Sequence, residues 1–172
     1  MQLRNQKSLS VTRLGYTLIE IMLAISLSAV LVTLGTNAYL KSAKRQAVKS
    51  GTDTLLATLS TAQKKANTGE KDCSGVLLGY ETIITGDSSQ VVTTPKCSAG
   101  SGTATTTVIS HIYFKSSTTL LFKPLNGGVT VTGNNPANID FIDSGEKSVA
   151  SPSATYRVKV ESTGSISYLG EL

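Results

Sequence analysis

Apolar positions follow three different rhythms along the 172-residue chain. From Tyr16 to Leu40 they are almost continuous, and Glu20 is the only charged side chain. Residues 21–40 carry no charge and would measure about 30 Å as a helix, the thickness of a bilayer's hydrocarbon core. Ser26, Ser28, Thr33, Gly35, Thr36 and Asn37 dilute that run. Over residues 41–66 the rhythm becomes helical. Leu40, Ala43, Ala47, Val48, Leu55, Leu59, Ala62 and Ala66 recur at steps of three and four, while Lys41, Lys44, Arg45, Lys49, Lys64 and Lys65 mostly fall elsewhere. Gly51-Thr52-Asp53 is the weak point, a poor helix former followed by two capping residue types, and Asn67-Thr68-Gly69 supplies the stop.

After residue 67 the rhythm is that of strands. Residues 76–85 and 90–94 flank Gly86-Asp87-Ser88-Ser89, a hairpin with turn chemistry. Further strands are expected at 106–115, 119–122, 129–132, 139–142, 155–161 and 165–169, with 98–107 as a flexible polar loop. The last two pair best, because Tyr156, Val158 and Val160 alternate with Arg157 and Lys159 and a short Ser162-Thr163-Gly164 turn follows. A sheet with one face to bury and a helix with a stripe to bury satisfy each other. The expected fold class is therefore α+β: a long N-terminal helix, membrane-spanning in its first half, laid on an antiparallel β-sheet or sandwich. A helix over 16–66 would be about 75 Å long.

Composition narrows the function. Ser and Thr number 45 and there is no Trp, while charged residues make up only 16% of the chain, too few for a coiled coil. The net charge is +5, but Arg4, Lys7 and Arg13 lie in an acid-free first fifteen residues and leave +2 for the rest. The basic balance therefore says little about nucleic acid. A single histidine, His111, placed within the expected 106–115 strand, offers neither a triad nor a ligand set, and no metal or cofactor site is expected. Asp140, Asp143 and Glu146 cluster without the spacing of a calcium loop and read as a solvated turn.

The N-terminal run admits three readings. One is a secretory signal peptide cut near Ala38, which would release a Sec-exported soluble β-domain. Another is a permanent single-span anchor, which loop charge does not orient. Neither explains a carboxylate one turn into the apolar run, costly in hydrocarbon. The residues around it, Arg13-Leu14-Gly15-Tyr16-Thr17-Leu18-Ile19-Glu20, resemble the cleavage site of type IV prepilins and type II secretion pseudopilins. The order of a helix followed by strands ending in a hairpin is similar, more diffusely, to the H-type minor pseudopilins and related minor pilins.

The resemblance implies cleavage after Gly15 by a prepilin peptidase, N-methylation of Tyr16, and Glu20 as the assembly carboxylate that meets a neighbour's N-terminal amine. It implies four parts: a leader at 1–15, a transmembrane and assembly half-helix at 16–40, an amphipathic outer half at 41–66, and a β-rich domain at 67–172. The implied protein is a non-enzymatic, minor-type subunit of a type IV pilus or a type II secretion pseudopilus. Its location would be the cytoplasmic membrane, single-pass with the C-terminal domain outside, and then a periplasmic or extracellular filament. Its partners would be other pilin subunits, the peptidase, an inner-membrane assembly platform and the lipid bilayer. Lys41, Lys44, Arg45 and Lys49 would form a collar at headgroups or neighbouring subunits.

Nucleic acid is an unfavoured partner. DNA-capturing minor pilins place Arg beside the final hairpin Gly, whereas Gly164 here precedes Ser165-Ile166-Ser167. Cys73 and Cys97 bracket the first hairpin, so export would favour a disulfide, with two free thiols the alternative.

Overall fold

A computed structural model describes residues 17–132, 136–149, 152 and 154–172. The chain divides into two compact units, Met1–Ser42 and Ala43–Leu172.

In the first unit the described residues are the start of helix α1 (Leu18–Thr68). Thr17 caps it, its carbonyl and its Oγ1 accepting the Glu20 N–H at 3.1 and 3.3 Å. Ser26 Oγ donates to the Met22 carbonyl and Thr36 Oγ1 to that of Val32, so these hydroxyls are satisfied within the helix. The expected α+β class with a membrane-spanning half-helix is corrected here. The described chain holds one long helix and two antiparallel sheets, and among the described residues no helix is long and apolar enough to cross a membrane. The single-pass inner-membrane location falls with it.

Among the described residues, the second unit holds the rest of α1 and ten strands in two antiparallel sheets. Sheet A runs in the order β3 (Gly100–Ser101), β2 (Gln90–Cys97), β1 (Leu77–Ile84), β6 (Thr118–Phe122), β7 (Val129–Thr132), with β4 (Thr105–Val108) also on β2. Sheet B runs β10 (Ile166–Glu171), β9 (Tyr156–Val160), β8 (Ala137–Asp143), β5 (Ile112–Phe114). The β1–β2 hairpin pairs Ile84 with Val91, and Asp87 takes a left-handed φ of 54° in its turn. The final hairpin pairs Val160 with Ile166, and Gln63 of α1 donates to the Gly164 carbonyl at 3.0 Å, fastening that turn to the helix.

One core joins the helix to both sheets. Val48, Leu55, Leu59, Ala62 and Ala66 of α1 are buried with Ile84, Leu120 and Phe122 of sheet A and Phe114, Ile139, Phe141 and Val158 of sheet B. Phe141 meets Phe114 edge-on at 6.4 Å and stacks with Tyr156 at 6.0 Å. Helix α1 ends where Gly69 turns to a φ of 71° and the Glu70 N–H bonds the Lys65 carbonyl.

Two local expectations change, and the weak point at Gly51 proves continuous helix. A Cβ at Gly51 would sit 2.5 Å from the Ser110 carbonyl oxygen and 2.7 Å from an Ile112 methyl. The missing side chain admits the loop that crosses the helix. Thr52, beside it, is buried and donates to the Val48 carbonyl at 2.9 Å. The expected 106–115 strand is two strands, β4 and β5, in different sheets. His111 lies not in a strand but in the turn between them, exposed, with φ 67°. The expected 98–107 loop contributes β3 and most of β4 to the edge of β2.

Candidate functional site

The first candidate surface is the start of α1. Leu18, Ile19, Ile21, Met22, Leu23, Ile25, Leu27, Val30, Leu31 and Val32 are all exposed, with Leu18 at 76%. A run of this size is far beyond the scattered apolar residues of an ordinary surface and marks an interaction site. Glu20 is exposed one turn into it, beside Ile21, Ala24, Ile25, Ser28, Ala29 and Val32 along one groove. Gly15 and Tyr16, the expected cleavage and methylation positions, lie outside the described residues.

Two of the basic residues after that run, Lys44 and Arg45, pair within the second unit. Lys44 approaches Glu146 at 3.6 Å and Arg45 approaches Glu171 at 3.8 Å. Both cations are mostly exposed, so the pairs contribute little to stability. Their acids belong to the loop after β8 and to β10.

The expected acidic turn is dispersed. Asp140 accepts a two-pronged bond from Arg157 at 2.6 and 2.8 Å, Asp143 accepts from the Gly145 N–H at 2.8 Å, and Glu146 faces Lys44. Among the described residues no group of three His, Cys, Asp or Glu is placed to hold a metal. The hydrogen bond from Arg157 to Asp140 raises the guanidinium's pKa and holds its charge. Lys159 is likewise paired, to Glu161 at 2.8 Å. The two basic residues on this strand face therefore already have carboxylate partners.

Cys73 and Cys97 form a disulfide, with Cα atoms 6.0 Å apart. It ties the segment after α1 to the end of β2. Around it, Lys71 donates to the Gly75 carbonyl, the Asp72 carboxylate accepts the Thr103 N–H at 3.0 Å, and Tyr80 donates to the Glu70 carbonyl at 2.9 Å. Hydrogen bonds from Thr103 lower the Asp72 pKa, and burial raises that of Tyr80.

Between this segment, α1 and the β2–β4 edge lies a groove of about 600 Å³, which sequence reasoning did not find. Its helix wall is Thr54, Ala57, Thr58 and Thr61, and its strand wall includes Thr93, Thr105 and Thr107. The spacing of the helix threonines, at three- and four-residue steps, was the available signal. No family model, no curated protein and no solved structure matches the chain.

Proposed function

We propose that this protein is a non-enzymatic subunit of a filament of the type IV pilin or type II secretion pseudopilin class, joined to its neighbours through the first part of α1. The observation that carries the reading is the exposed apolar run from Leu18 to Val32 with one acid, Glu20, near its start. Covering such a run with copies of itself removes apolar surface from water. It also desolvates Glu20, which then needs a cation. Cleavage between Gly15 and Tyr16 would create an ammonium four residues before that acid. The pairing of Glu20 with the Tyr16 amine of a neighbour would offset both charges and set the register of the bundle. Before cleavage Tyr16 carries an amide and no such pair forms, so processing would gate assembly. The Cys73–Cys97 disulfide suits assembly in an oxidising compartment.

Mass spectrometry of the native N-terminus tests the reading directly. A chain beginning at N-methylated Tyr16 is expected, and Glu20→Ala should be cut normally yet fail to enter filaments. Incorporation of the Glu20→Ala chain at the wild-type level would refute the pairing. A second reading draws on the unit boundary after Ser42: the β-rich unit is a secreted binding domain released near Ala38. An unmodified N-terminus at Tyr39 would establish that reading instead.

A further inference from the structure

Sheet edges carry unpaired backbone groups, and proteins usually guard them by shortness, charge, bulges or cover. Among the described residues, three of the four edges here are guarded. In sheet B, β5 has three residues and runs into Lys115, and β10 carries a bulge between Tyr168 and Gly170 and ends in Glu171. In sheet A, the Val129 N–H of β7 is already taken by the Ser162 carbonyl at 2.8 Å.

The fourth edge is β4, reinforced at one end by the two-residue β3. Its pairing runs from Gln90 opposite Val108 to Thr93 opposite Thr105, and among the described residues β2 is its one strand partner. From Ser98 to Ser110 the chain has no charge and no proline. Every residue of β4 is β-branched, and Val108 is 64% exposed. Because the Ile109 N–H bonds the Ser89 carbonyl, the antiparallel alternation turns Thr105 and Thr107 toward β2 for hydrogen bonding. The N–H and C=O groups of Thr106 and Val108 then point off the sheet.

The groove lies on the inner side of this same edge. Thr103, Thr105 and Thr107, at two-residue steps, line it opposite Ala57, Thr58 and Thr61. Strands lie about 4.8 Å apart and a helix is about 10 Å across, so one helix covers only about two strands of sheet A. The inward positions change accordingly, from Ile84, Leu120 and Phe122 under the covered strands to threonines at β4.

We infer that β4 and the threonine groove together form a strand-addition site for an extended peptide segment of a partner protein. The segment would pair antiparallel or parallel with the outward groups of Thr106 and Val108. Its alternate side chains would enter the groove, the division of labour seen in β-augmentation. The walls are short side chains around about 600 Å³, so the segment carries bulky aliphatic residues at every second position. It carries no net charge, because the charges at the groove's end are matched: Lys65 pairs with Glu70 at 3.0 Å, and Lys71 and Asp72 offset each other. A second copy's β4 is a poorer occupant, since its own short threonines leave both grooves empty.

The test uses the full chain in a neutral detergent and a fluorescent, end-capped peptide of four Leu-Thr repeats with a Gly-Ser solubilising tail. Saturable binding is expected, with amide exchange slowed at Thr106 and Val108. Thr106→Pro, which deletes one outward N–H, should weaken binding at least tenfold. Ala57→Trp, on an exposed helix position, fills the groove while leaving the outward backbone groups of Thr106 and Val108 in place, and should do the same with far-UV circular dichroism unchanged. Absence of saturable binding at 1 mM peptide, roughly the weakest affinity worth the name, would overturn the inference. So would binding that leaves β4 exchange unaltered or is indifferent to Ala57→Trp. Dimerisation of the protein alone, abolished by Thr106→Pro, would hand the edge to a second copy and also overturn it. None of these outcomes depends on filament assembly.

Discussion

Two stretches of the same helix meet water differently. Among the described residues from Leu18 to Ser42, every side chain whose burial is given is exposed, the leucines and isoleucines included. From Ala43 to Thr68, the residues Val48, Thr52, Leu55, Leu59, Ala62 and Ala66 are buried at steps of four and three, and the polar residues between them are not. Helical propensity does not separate the stretches, since both are helix. Periodicity does. A stripe about 100° wide can be covered by one sheet-bearing domain, whereas a helix apolar on all sides can be covered only by a surrounding medium or by several neighbours. The second stretch is thus covered by its own domain, whereas the described side chains of the first are left uncovered.

Substitutions of one residue type in the two stretches should give the largest contrast. Leu59→Ala empties a fully buried site and should cost about 2–5 kcal/mol in urea unfolding of the full chain followed by far-UV circular dichroism. Leu23→Ala, at a site 58% exposed, should leave that transition within about 0.5 kcal/mol while lowering assembly. Equal shifts from the two would erase the distinction. Reduction of Cys73–Cys97 comes next, at about 3 kcal/mol of unfolding stability in the chain-entropy account. Its effect should be confined to the second unit, with no change in the helical signal of a peptide covering residues 17–42.

Gly51→Ala gives a sharper test of what the buried stretch demands. In an unconstrained helix that change stabilises by roughly 0.5–1 kcal/mol. Here the new methyl would meet the Ser110 carbonyl and Ile112, so a net loss of about 1–3 kcal/mol is expected. A rise in thermal midpoint would show that the crossing loop yields freely.

The smallest effect is a pH dependence. Asp72 has its folded pKa lowered by Thr103, so its contribution is present above the unfolded value of about 3.9 and is lost as pH falls through the folded value. Asp72→Asn should flatten the acid limb of the stability curve near that pH. An unchanged limb would remove Asp72 from the account.

Much of the second unit was legible in the linear pattern. The stripe from Val48 to Ala66 and the Gly69 stop correspond to the buried face and end of α1. The alternation of Tyr156, Val158 and Val160 corresponds to the buried face of β9. The expected bilayer span is not met, since among the described residues no helix is long and apolar enough to cross a membrane. The candidate site was legible only in part. Glu20 stands out from its neighbours, whereas the groove requires knowing that β4 lies beside Thr54 to Thr61.

Local periodicity, capping chemistry and turn residues act over a few positions, so the chain alone determined where α1 stops, which of its faces is oily and which strands form hairpins. Long-range placement was decided by the tertiary structure. The passage of residues 109–111 from one sheet to the other, the close approach at Gly51, the pairing of Asp140 with Arg157 and the open edge of β4 each join positions distant along the chain. Such contacts are set by which apolar faces can be buried at once. That is a property of the whole core, and no window of sequence contains it.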